Sequence, residues 1–167
     1  MDNDKFLTVG LILLAGIGLI WYVMKYVGNK KYNKANVLDQ ALIRAVLDEK
    51  VNFFQKLQTQ AQEEFIERVT YFLATTTISA EKGAKITDAD RVLAAASATI
   101  PLFHFQQWSF DNLDEVIIYP GTYNEKYDTE KPDRTILGMV GEGTFNRKMI
   151  LSLSSLRAGF SPSAFCN

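Results

Sequence analysis

Between Lys5 and Lys25 the chain carries nineteen residues without a charge, FLTVGLILLAGIGLIWYVM. As a helix this run would rise about 28 Å, close to the roughly 30 Å of a bilayer's hydrocarbon layer. It is apolar on every side, whereas a core helix of that length keeps a polar stripe. The run therefore predicts an N-terminal transmembrane helix, with residues 6–24 in the lipid bilayer. A cleavable leader would begin on basic residues and end at a small-residue site, but this chain begins with Asp2 and Asp4 and places LIWYVM after its small residues. Trp21, Tyr22 and Tyr26 gather at the far end of the run, followed by Lys25, Lys30, Lys31 and Lys34. Aromatic rings favour the headgroup layer, and positive charge marks the cytoplasmic side. The expectation is a single-pass membrane protein, N-terminus outside and C-terminal domain cytoplasmic. Its parts would be an anchor and basic linker over 1–34, a domain over 35–160 and a frayed tail over 161–167.

A chain of 167 residues, 47% apolar and 22% charged, suits one folded domain rather than two. Four prolines and ten glycines exclude collagen-like and broadly disordered classes. Cys166 is the single cysteine, so no disulfide framework and no paired-cysteine zinc site can form. A formal charge of -1 gives no basic face for nucleic acid, and that class is set aside.

Helical spacing dominates the first half of the domain. Ile43, Val46, Leu47, Val51, Phe54 and Leu57 predict one long amphipathic helix from 36 to 57. Thr59 and Gln62 have capping-box spacing ahead of Phe65, Ile66, Val69, Phe72 and Leu73, so the two helices should form a hairpin. Thr75, Thr76 and Thr77 favour a strand, and EKGAK at 81–85 a turn. A third helix should start after Thr87, with Asp88 and Asp90 in its first turn, and stop before Pro101. Its small body, LAAASA at 93–98, permits close approach of neighbours and predicts a central place. EVIIYP (115–120), ILGMVG (136–141) and MILSLS (149–154) read as strands. The fold class is α+β: helical hairpin, central helix and a small mixed or antiparallel sheet of about three strands.

Side-chain chemistry is sparse. Hydrolytic triads and histidine-bound metals need imidazole, and His104 is the chain's one histidine, between two phenylalanines. Asp111, Asp114 and Glu115 lack the glycine turn and ligand spacing of a calcium loop and read as solvated charges. Gly138, Gly141 and Gly143 would need a helix directly after them to cradle phosphate; TFNRKMILS predicts a turn and a strand instead, so a bulge or close backbone approach explains them better. Asp88 and Asp90 are accounted for by their place at a helix start.

Four stretches taken together carry a resemblance: TDADRVLAAASATIP (87–101), LDEVIIYPGTYN (113–124), ILGMVGEGTFNRKMILS (136–152) and LRAGF (156–160). In this order they resemble the N-terminal half of the Mlc titration factor A family of zinc-dependent metallopeptidases, here in a membrane-anchored form. The resemblance implies an incomplete zincin-like domain. In such a peptidase an H-E-x-x-H helix sets two histidines on one face, because residues i and i+4 lie one turn apart, and zinc then acidifies a bound water. In the family that helix follows the point matching LRAGF, and no H-E-x-x-H occurs in this sequence. The expectation is a fragment of a metallopeptidase with no catalytic, cofactor-binding or metal residue of its own, zinc belonging to the complete domain. The tail SPSAFCN departs from the family pattern and points to a truncated or shifted frame. Met149, Ile150, Leu151 and Ser152 are the candidate strand against which extended substrate would pair, with Ile150 and Leu151 left exposed in the fragment. The alternative is a non-catalytic membrane-anchored module that binds protein on the same scaffold.

Overall fold

A computed structural model describes residues 16–19, 33, 38–106, 108–130, 133, 135–140 and 146–161. The chain divides into two compact units, residues 1–32 and 33–167. In the first, residues 16–19 are helical. The expected transmembrane helix and the single-pass membrane location are corrected here, because among the described residues no helix is long and apolar enough to cross a membrane. The remainder of the 6–24 run and the lysines that follow it lie outside the described residues.

The second unit opens with α1 (Gln40–Lys50), capped by Asp39, whose carboxylate accepts from the Ala41 amide. The pattern predicts unbroken helix to residue 57. Instead the backbone extends at Val51 (φ -112°, ψ 90°) and resumes as α2 (Asn52–Gln55). The break leaves carbonyls at the end of α1, and they find partners: the Val51 amide donates to Leu47 O and Gln55 Nε2 donates to Asp48 O at 2.6 Å. Helix α3 (Thr59–Thr75) begins one residue earlier than the capping-box spacing implies. Its N-cap is Gln58, with no side-chain cap bond, and Gln62 Nε2 reaches back to Phe54 O instead. The helical hairpin buries Ile43, Leu47 and Phe54 against Phe65, Val69 and Leu73.

Strand β1 (Thr77–Ala80) starts after α3, and a turn with Lys82 (φ 53°) and Gly83 (φ 77°) leads into α4 (Asp88–Leu102). Thr87 caps this helix as expected and forms a full capping box with Asp90: Thr87 Oγ1 accepts from the Asp90 amide while the Asp90 carboxylate accepts from the Thr87 amide. It runs through Pro101 rather than stopping before it. A proline in the last turn removes one amide where the helix is already ending, so its cost there is small. Arg68 on α3 donates to Leu102 O and Phe103 O, satisfying carbonyls that the α4 terminus leaves open, and lies over the rings of Phe103 and Trp108.

Strands β2 (Glu115–Tyr119), β3 (Gly138–Val140) and β4 (Lys148–Ser152) complete a four-stranded sheet in the order β1-β2-β4-β3. β1, β2 and β4 are parallel, and β3 alone is antiparallel, to β4. The β1-α4-β2 segment is thus a crossover unit, since parallel neighbours need a connection that returns the chain to the same end. The sheet gains a strand over the expected three because β1 joins it. A final helix, α5 (Leu153–Gly159), follows β4 without a gap.

Alternation along the strands gives the sheet two buried faces. Ile78, Val116, Ile118, Met149 and Leu151 meet the helices. Ile117, Tyr119 and Ile150 face the other way, beneath Tyr123, Tyr127, Ile136 and Met139 of the segment between β2 and β4. Tyr119 and Tyr123 meet edge-on at 5.3 Å, and burial pushes the Tyr123 phenol up to about 12. Helix α4 packs against α1, α3 and α5, and Ala94, Ala95 and Ala96 are all buried in these contacts. A methyl group is what fits there. Ala95→Leu should therefore cost about 1–3 kcal/mol of stability through overpacking, read as a lower midpoint in urea unfolding; an unchanged midpoint would show that the helices have room to spare.

Asp90 ties α4 to α5. Its carboxylate, 3% exposed, receives Arg157 Nε and Nη2, each at 2.8 Å. The Arg157 hydrogen bonds, opposed in part by burial and helped by Thr87, hold the Asp90 carboxyl at about 2, below its ordinary 3.8. A depressed carboxyl contributes stability that is whole above about pH 3.8 and is lost as pH falls through about 2. The contribution is at most on the order of 2 kcal/mol, because Arg157 is half exposed and water screens it. Asp90→Asn should lower stability at neutral pH and flatten this acid limb, measured by denaturant unfolding over that pH range; an unchanged acid limb would contradict the assignment.

Candidate functional site

The features able to meet a ligand lie at the β3 side of the sheet. Strand β3 is the outer strand, paired to β4 through Gly138↔Leu151, Met139↔Ile150 and Val140↔Met149. Next to this ladder the Ser152 amide donates to Leu137 O at 2.9 Å. Antiparallel pairs alternate between bonded and non-bonded, so Met139 faces β4 with its backbone groups while those of Gly138 and Val140 point to the outer edge. Leu137 and Val140 are 57% and 70% exposed. Gly138 lets β3 come close: a Cβ there would sit 3.1 Å from Leu151 Cδ2 and 3.4 Å from Ile150 O. This matches the close backbone approach expected of that glycine; Gly141 and Gly143 lie outside the described residues.

Beside this edge opens an apolar groove of about 590 Å³. Val51 and Phe53 form one wall, Ile100 of α4 the floor, Leu137, Gly138 and Leu151 the sheet side, and Leu156 and Phe160 the far end, with Ser97, Ser152 and Ser155 as its hydroxyls. Ser152 is already engaged, accepting from the Ser155 amide and hydroxyl as the N-cap of α5. Among the described residues no imidazole or carboxylate lines the groove, and the described lining is mostly apolar.

The candidate strand 149–152 is β4, which is paired on both sides and is not itself the edge. Ile150 is 1% exposed, buried beneath the tyrosines, and Leu151 is half-buried, so neither is left open as expected. The physical reason is that β3 folds back onto β4 and takes the outer position. Asp114 and Glu115 are ion-paired, and Asp111 Oδ1 accepts from Ser109 Oγ at 3.0 Å. Arg147 donates to both oxygens of Asp114 at 2.6 and 2.7 Å and to Asp111 O. Glu115 pairs with Lys148 at 2.9 Å and accepts from Ser79, and the Lys148 bond above all holds its carboxyl below the usual range. His104 is exposed and lies edge-on to Phe103 at 5.2 Å and Phe53 at 6.4 Å. The sequence reading missed the edge role of 138–140 and the groove; the Leu137-Gly138 pair ahead of MV was the available signal.

Residues 26–166 match the model of the glucose-regulated metallo-peptidase M90 family, that of Mlc titration factor A. The chain belongs to that family. No curated protein and no solved structure matches it. The M90 domain is thus metallopeptidase-related, and the family implies a zinc ion. Among the described residues no group of three or more His, Cys, Asp or Glu is placed to hold a metal, and His104 is exposed and edge-on to Phe103. Of the carboxylates at 111–115, Asp114 is paired with Arg147 and Glu115 with Lys148, while Asp111 Oδ1 accepts from Ser109 Oγ at 3.0 Å.

This placement separates two substitutions that the sequence alone treats alike. Ile150→Ala should destabilise the M90 domain by about 2–5 kcal/mol, and Val140→Ala by no more than about 0.5 kcal/mol. Equal effects in denaturant unfolding would mean that β3 and β4 have been assigned the wrong positions.

Proposed function

We propose that residues 33–161 are the scaffold side of a zinc-dependent peptidase, providing the helical layer, the sheet and a peptide-binding edge, while the metal ligands and general base come from polypeptide outside these 167 residues. Peptide-bond hydrolysis then belongs to the complete domain, and this chain is inactive alone. The observation that carries the reading is M90 membership in a sequence with one histidine: a zinc site of this class needs at least two imidazoles. On this reading an extended peptide pairs with the outward backbone groups of Gly138 and Val140 as an added strand, and an apolar side chain enters the groove beside Leu137 and Leu151. Strand β4, including Met149–Ser152, backs the edge rather than meeting the peptide.

The second reading is a non-catalytic module that binds protein on the same scaffold. It is favoured by the same edge and groove, which can hold a peptide without cutting it. The full chain, incubated with zinc and a mixed set of fluorogenic peptides, should give no turnover above buffer; zinc-dependent, chelator-sensitive turnover would overturn both readings. Reading the coding DNA downstream in all three frames separates them. An H-E-x-x-H there supports the scaffold side of a peptidase, and its absence supports the binding module.

A further inference from the structure

We draw no further inference here: the strongest candidate, the apolar groove between the α1–α2 junction, α4, β3 and α5, adjoins the sheet edge already proposed for peptide binding, and nothing in the structure shows what covers it.

Discussion

The buried carboxylate of Asp90 does three things at once, and the placement of the last described helix depends on it. It closes the capping box at the start of α4, it accepts two hydrogen bonds from Arg157, and it sits where α4 enters the layer of helices under the sheet. A charge this deep is costly unless it is paired and hydrogen-bonded. Here Thr87 and Arg157 supply both, which links residues 67 apart in the chain. α5 buries only Leu153 and Leu156, so this ion pair is a large share of what seats it. The chain therefore leaves the sheet in one direction, past the groove.

That arrangement determines what the sheet can offer. One face packs against helices and the other against the Tyr119, Tyr123 and Tyr127 cluster, and on the helix side Gly138 and Leu151 line the apolar groove. Among the described residues Leu137 and Val140 are exposed at the β3 edge. Edges of this kind are places where another backbone can add on. Among the described residues the groove carries no titratable side chain, and Asp114 and Glu115 elsewhere are paired with Arg147 and Lys148. The chain is a member of a metallopeptidase family and carries one histidine.

Much of this was legible in the residues. Phe65, Ile66, Val69, Phe72 and Leu73 mark the buried face of α3 by spacing alone, and Thr87 with Asp90 announces the start of α4. Other features were hidden for physical reasons. The apolar spacing passes through Val51 without interruption, because the residues on both sides of the break bury the same face; only backbone geometry reveals it. MILSLS was read as strand throughout, yet β4 ends at Ser152 and α5 begins at Leu153. Short apolar runs do not distinguish strand from helix by periodicity, although the capping position of Ser152 ahead of Leu153 and Leu156 was a usable hint. Parallel pairing of β1, β2 and β4 is a property of chain path, not of local composition. The apolar run at 6–24 suggested a membrane helix by length and composition, but no described helix has that length.

Of the candidate site, the absence of H-E-x-x-H is plain in the sequence, whereas the interior position of 149–152 is not, because it depends on β3 folding back onto β4. The four stretches that resemble the family fall on α4, β2, the β3–β4 pair and α5, within the residues 26–166 that match its model. The central claim is that this scaffold does not itself hold a hydrolytic metal. Elemental analysis of the full chain after zinc loading and exhaustive dialysis tests it most directly. The account predicts zinc far below one equivalent per chain, and one tightly retained zinc per chain would contradict it.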